Sequence, residues 1–397
     1  MRGEVRLGRI TGVTVAVHWS VVVILLLFSW SLATVSLPDA APGYTDGAYW
    51  VAGVGATLLL LASLTAHELA HSLVARRAGI EVEGLTLWLF GGVTRLHGEA
   101  PTPGADFRIA AVGPATSLVL GGAFGAVAVG VDAVGVSQLV AVTSWWLAAT
   151  NVLLGLFNLI PGAPLDGGRV LRAYLWHRRG DKVAAATSAA AAGRVVGFGL
   201  AGVGVLELLA GGTVGGLWLV LIGWFLISAA GAEESQVLSR QLLAGVRVAD
   251  VMTPDPETAP GWLTIDAFVD QHVLGRQHSA YPVCGLDGEI EGLVTLAQLR
   301  TVPPSARGTT YIREVAIPRD HTPTAEPEEL LVRVLERGSV ATGGRVLVLG
   351  SGRLVGILSR ADVARMVEVR ALAGSRLPVG VPAPDPTSGR AGRLPRH

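Results

Sequence analysis

Six stretches of this chain approach or meet the length and apolarity of a bilayer-spanning helix, and they fix its solvent before anything else. A span needs about 20 mostly apolar residues. The stretches are 13–37, 48–66, 109–131, 133–161, 184–209 and 215–231. The fifth is interrupted by Arg194 and Glu207, while the second carries no charge and runs on into His67-Glu68-Leu69-Ala70-His71. Arg2, Arg6 and Arg9 precede the first stretch as in a signal peptide. No small-residue cleavage site follows, so that span is expected to be retained.

Charge divides the chain in two. Residues 1–232 hold 25 charged side chains, about 11%, and residues 233–397 hold 37, about 22%, near the level of a water-soluble domain. The expected organisation is a membrane domain over 1–232, a polar helical linker over 233–245, and a soluble α/β region beyond. Basic and acidic residues balance at 31 each, which leaves no nucleic-acid footprint. The single cysteine, Cys284, excludes an intramolecular disulfide and a cysteine-ligated zinc site. Arginine placement sets the orientation. Arg2, Arg6 and Arg9, then Arg76 and Arg77, then Arg169, Arg172, Arg178, Arg179 and Lys182 fall on one side if the chain crosses six times. That places the N-terminus and the C-terminal half in the cytoplasm, with the protein in the plasma membrane.

The pattern H-E-x-x-H at residues 67–71 carries the chemistry. On a helix, residues i and i+4 share a face, so both imidazoles can ligate one metal. Glu68 then lies close enough to deprotonate an attacking water. Three ionisable groups at the end of an apolar run each cost about 2.5–3.5 kcal/mol at membrane depth, which calls for a compensating ligand. Two histidines need a third protein ligand. The other carboxylate at a span end is Asp166, in Asn158-Leu-Ile-Pro-Gly-Ala-Pro-Leu-Asp166-Gly-Gly-Arg169. Broken backbone of this kind is tolerated at membrane depth only inside protein or beside a wet cavity. Read alone, the segment is equally a plain helix exit and turn.

These residues together resemble the site-2 proteases, the intramembrane zinc metalloproteases, and among them the subgroup with paired cystathionine-β-synthase (CBS) repeats. The resemblance runs from about Ile10 to Val369 and includes Leu89-Phe90-Gly91-Gly92-Val93 and Ala111-Val112-Gly113-Pro114. It implies one zinc held by His67, His71 and Asp166, with Glu68 as general base and later proton donor. Asn158 matches an asparagine that positions the substrate carbonyl or stabilises the oxyanion. Ser117 stands where many relatives carry asparagine and is assigned no catalytic role. Residues 81–95 alternate as a strand or hairpin. The resemblance places them in the membrane beside the active site, where their edge would pair with an unwound substrate; a plain surface hairpin is the alternative. His18 is read as a bundle histidine.

After residue 245 the sequence repeats. Val248-Ala-Asp-Val-Met-Thr-Pro254 leads to Ser279–Val283 and Gly292–Thr295, and Ile312–Ala316 leads to Arg345–Val348 and Gly356–Asp362. Tandem units of this length resemble a CBS pair, with repeats over 246–303 and 311–370 and a disordered tail over 374–397. Such pairs dimerise, and many hold an adenine nucleotide through Ser/Thr and an aspartate three residues later. Ser359 and Asp362 fit that pattern, whereas the first repeat has Thr295 and Gln298. A ligand-free dimeric module is the alternative.

The expected fold is therefore a polytopic α-helical membrane domain of about six transmembrane helices, with a short membrane-associated β-hairpin region, followed by a cytoplasmic α/β tandem CBS pair. The expected activity is peptide-bond hydrolysis within or near transmembrane segments of membrane-anchored proteins, with membrane lipid as the other partner. The rival reading is a CBS-regulated metal-ion transporter or channel, which has no need of Glu68 beside His67; a silent scaffold is a third.

Overall fold

The computed structural model describes residues 4–10, 12–88, 91–211, 214–275, 278–337 and 344–373. The chain forms two compact units that divide between Val237 and Leu238.

The first unit opens with strands β1 (Glu4–Ile10) and β2 (Val13–His18), followed by α1 (Ser20–Ala40) and α2 (Asp46–Arg77). Next come β3 (Glu81–Trp88), β4 (Gly91–His97), α3 (Pro103–Val134), α4 (Gln138–Asn158) and the short α5 (Asp166–Arg179). Helices α6 (Lys182–Leu209) and α7 (Val214–Leu242) complete it. Helices α1, α2, α3, α4, α6 and α7 are long and apolar enough to cross a bilayer. Their exposed apolar side chains, such as Leu26, Val51, Val119 and Trp224, suit lipid rather than water.

The first expected span is corrected at its start. Val13–His18 is a strand, because β-branched residues alternate there and bond into a sheet before the helix begins at Ser20. β2 pairs antiparallel with β1 and parallel with β3, and β3 pairs antiparallel with β4. The order β1-β2-β3-β4 leaves β4 at an edge. His18 is therefore outside the helical bundle. It ends β2, its Nδ1 lies 2.8 Å from Ser20 Oγ, and it accepts from the Ser20 N–H at the start of α1.

Side-chain caps set the other helix starts: Thr45 for α2, Thr102 for α3, Ser137 for α4 and Asp181 for α6. Arg194, which interrupts the fifth span in sequence, forms an ion pair with Glu234 of α7. α6 and α7 approach through glycines: a Cβ on Gly204 would lie 2.5 Å from the Gly216 carbonyl, and one on Gly223 equally close to that of Gly197. α7 continues without a break past residue 232 into the segment expected to be a linker.

The second unit contains two four-stranded sheets. One has the order β6 (Ala259–Pro260), β7 (Ala280–Cys284), β8 (Ile290–Thr295), β9 (Ile317–Pro318). The other runs β10 (Thr324–Ala325), β11 (Arg345–Gly350), β12 (Arg353–Ser359), β5 (Thr253–Pro254). The repeats exchange edges: β5 precedes the first repeat's sheet yet pairs with β12, and β9 pairs back onto β8. The cores follow the same exchange. Val246, Val248 and Val251 pack with Leu331, Val346 and Leu358, while Ile312 packs with Phe268, Tyr281 and Val294. The segment 374–397, expected as a tail, lies outside the described residues.

Candidate metal centre

The lower turns of α2 present His67 and His71 on its buried face, with Glu68 half-buried beside them. After α4 the chain breaks through Pro161 and Pro164 and restarts as α5 at Asp166. Glycine makes this turn possible. A Cβ on Gly168 would sit 2.3 Å from Ala163 N, and one on Gly193 of α6 would sit 1.9 Å from the Ala163 carbonyl. The turn is thus seated directly on helical backbone, and Ala163 N–H donates to Ala189 O at 3.0 Å.

The result is a compact donor set. His67 Nε2 and His71 Nε2 are 3.2 Å apart, and each is 3.2 Å from Asp166 Oδ2. His71 donates from Nδ1 to the Ile109 carbonyl at 2.5 Å, so its Nε2 faces the carboxylate as a lone pair in the neutral ring. Three electron-rich atoms at mutual contact repel unless a cation lies among them. Zinc–ligand bonds of about 2.0–2.1 Å give a tetrahedron whose edges are roughly 3.3 Å. The donor types and their spacing fit that ion, and no other cluster of three or more such donors occurs among the described residues.

The surroundings hold the rings in place. His67 Nδ1 lies 2.8 Å from Ser117 Oγ, which is completely buried on α3. Gly113, one turn earlier, has no room for a side chain: a Cβ there would stand 2.1 Å from His71 Nε2 and 2.6 Å from His67 Nε2. On the opposite side, Gly92 of the edge strand β4 hydrogen-bonds through its backbone to Glu68. A Cβ on Gly92 would lie 2.4 Å from Glu68 Cγ. β4 therefore passes directly over the glutamate.

Below the donor set, Asp106 of α3 is fully buried and receives two hydrogen bonds from Arg172 of α5, at 2.9 and 2.7 Å. Burial opposes the Arg172 charge, but the Asp106 bond and charge outweigh it, and the guanidinium is held above its ordinary value.

Of the residues singled out in the sequence, His67, His71 and Asp166 come together and Glu68 stands beside them. Asn158 does not join them in this structure; its amide donates to Leu154 O of its own helix at 3.0 Å. Ser359 and Asp362 meet each other. Ser359 Oγ and N–H both bond Asp362 Oδ2, and Asp362 N–H returns to Ser359 Oγ at 3.3 Å, which caps the following helix. Thr295 and Gln298 form the same box in the first repeat. Sequence reasoning assigned Ser117 no role and left Gly113, Asp106 and Arg172 without one. Only the Gly113–Ser117 spacing of one helical turn carries a signal in the sequence. Leu89 and Phe90 lie outside the described residues.

The profile of peptidase family M50 matches residues 55–144 and 129–202, which contain His67, Glu68 and His71 of α2, all of α3, and Asp166. Rip3 of Mycobacterium tuberculosis, named as a zinc metalloprotease, is 55% identical over 374 residues, covering 94% of this chain and 95% of its own length. The chain belongs to peptidase family M50. It is a multi-pass intramembrane zinc metalloprotease of the site-2 type, and the transporter reading is set aside. Among solved structures, the site-2 protease from Methanocaldococcus jannaschii is 26% identical with a TM-score of 0.39, covering 58% of this chain and 95% of that one. The CBS domain of a bacterial CNNM/CorC-family Mg2+ transporter in complex with ATP is 16% identical with a TM-score of 0.30, covering 34% of this chain and 97% of that one. The M50 membrane domain is followed here by the second unit with its two four-stranded sheets.

Proposed function

We propose that His67, His71 and Asp166 bind a single zinc ion per chain and that Glu68 is the acid–base residue of an H-E-x-x-H endopeptidase. The observation that carries this reading is the mutual 3.2 Å spacing of the three donor atoms, with Glu68 next in sequence to one of them. When bound, zinc acidifies a water and polarises the scissile carbonyl. Glu68 takes the proton from the attacking water and later delivers it to the leaving amine. Ser117 and the Ile109 carbonyl hold the imidazoles with Nε2 turned inward.

The substrate is a transmembrane segment of a membrane-anchored protein, unwound to extended chain and added to the edge of β4. Backbone pairing supplies the affinity and leaves scissile amides exposed. The contact between Gly92 and Glu68 supports this, since it brings a strand edge to the proton-transfer residue. Asn158 becomes an oxyanion donor only if its amide leaves Leu154 O when substrate is bound.

The arginine distribution supports a plasma-membrane protein whose N-terminus and CBS pair are cytoplasmic. We infer that the CBS pair, over 246–303 and 311–370, forms a homodimer and takes an adenine nucleotide at Ser359 and Asp362, which would regulate cleavage. Reconstitution of the purified chain with a single-span substrate, comparing wild type with Glu68→Gln and Asp166→Asn, tests the central reading. Zinc-dependent cleavage by wild type alone is the expected result. Cleavage by both variants at the wild-type rate would overturn it.

A further inference from the structure

Helix α5 begins at the proposed third ligand and spans only Asp166–Arg179, so something must fix how far it slides along its neighbour. α3 supplies the hydrogen-bond partners of both imidazoles outside the donor set, and the glycine against which they rest. Asp106, the Ile109 carbonyl, Gly113 and Ser117 follow one another at spacings of three or four residues along its buried side. α5 carries a matching line of Asp166, Arg169 and Arg172. The lines meet at both ends. At one end, Asp166 Oδ2 lies 3.2 Å from the imidazoles that rest on Gly113. At the other, Arg172 grips Asp106 in two bonds while Arg169 Nη2 stands 3.5 Å from the same carboxylate.

The distances along the helices agree. At 1.5 Å per residue, Asp166 to Arg172 is about 9 Å and Asp106 to Gly113 is about 10 Å. A slip of α5 by a single residue would move its ligand by about 1.5 Å, half of the observed donor spacing. A bidentate guanidinium–carboxylate pair fixes such a register more tightly than a single charge contact, because both planes and both bond directions are constrained.

We propose that Arg172 is a positioning residue: its pair with buried Asp106 sets the axial register of α5 against α3 and so presents Asp166 to His67 and His71. Arg172 also lies 3.8 Å from Glu233 of α7, which ties this register to the helix that leads out of the membrane domain. The inference rests on Asp166 being a ligand, and the experiment separates the two.

Zinc affinity of the full-length chain is measured by competition with a chromophoric chelator, alongside the thermal midpoint of the zinc-free protein, for Asp166→Asn, Arg172→Lys, Asp106→Asn and the exchanged pair Asp106→Arg/Arg172→Asp. Arg172→Lys retains the charge and loses the fork. The expected result is a fall in zinc affinity of about 10-fold or more for Arg172→Lys and for Asp106→Asn. The zinc-free midpoint of Arg172→Lys should stay within a few degrees of wild type, and the exchanged pair should recover part of the affinity. Unchanged affinity in Arg172→Lys while Asp166→Asn loses zinc would overturn the positioning role alone. Unfolding of Arg172→Lys, or a loss of affinity that only tracks a lowered zinc-free midpoint, would also overturn it and leave a structural ion pair. Retention of wild-type affinity by Asp166→Asn would overturn the ligand assignment beneath it.

Discussion

Gly113 and His71 occupy adjoining space so tightly that a Cβ on Gly113 would stand 2.1 Å from His71 Nε2. A contact that short cannot be accommodated by small adjustments, because His71 is held from behind by the Ile109 carbonyl. The absence of a side chain on α3 is thus as much a part of the donor set as the imidazoles on α2. Gly113→Ala should yield a protein that inserts and folds yet purifies with little or no zinc, as elemental analysis would record. Full zinc occupancy in that variant would show that the rings have freedom they lack in this structure.

Ser117 should affect metal binding and leave the fold alone. It is completely buried and meets His67 Nδ1 at 2.8 Å, so it fixes the tilt of a ligand ring. Ser117→Ala removes few atoms and leaves the helix contact between α2 and α3. Zinc affinity should fall by roughly 10-fold, read by chelator competition. An unchanged affinity would mean that ring packing alone orients His67.

Gly92 separates metal binding from catalysis. A methyl group there would meet Glu68 Cγ at 2.4 Å, so Gly92→Ala must displace either the glutamate or β4. None of the three donor atoms is involved. The variant should hold zinc at wild-type stoichiometry and lose about 100-fold in cleavage rate, the cost of misplacing a reacting group by about 1 Å. Loss of zinc together with activity would point to misfolding instead.

The metal-binding pattern was the most readable part of this protein, and the reason is local. His67, Glu68 and His71 lie within one turn of one helix, where spacing dictates geometry. Asp166 was reachable because few carboxylates stand at span ends and because the prolines around it announce broken backbone. What was hidden depends on helix rotation and on distance in sequence. Beyond the one-turn spacing of Gly113 and Ser117, nothing in residues 103–134 says which face of α3 meets α2, so Ser117 reads as an idle serine. Asp106 and Arg172 lie 66 residues apart, and neither looks unusual alone. The strand Val13–His18 reads as membrane helix in sequence because its valines run on into the apolar stretch of α1, and only its pairing with β1 and β3 separates the two. The exchanged edges of the two sheets in the second unit rest on two-residue strands, too short to leave a periodicity.

The capping box at Ser359 and Asp362 bears on the nucleotide. Both side chains are already engaged with each other, and Thr253 Oγ1 reaches Asp362 Oδ1 at 3.4 Å. An adenine nucleotide that binds there has to replace or share those bonds. Calorimetry of the full-length chain with ATP, ADP and AMP should show saturable heat that Asp362→Ala abolishes. No heat from any of the three would leave the pair as a ligand-free dimerisation module.

Glu68 tests the account most directly, because it is the one residue of the centre whose proposed role is chemical and does not involve holding the metal. Glu68→Gln keeps the size and polarity of the side chain and removes its capacity to accept a proton. The measurement is the rate of cleavage of a reconstituted single-span substrate, normalised to bound zinc. We predict a variant that retains one zinc per chain and cleaves about 10²- to 10⁴-fold more slowly than wild type. Cleavage at the wild-type rate by zinc-loaded Glu68→Gln would contradict it.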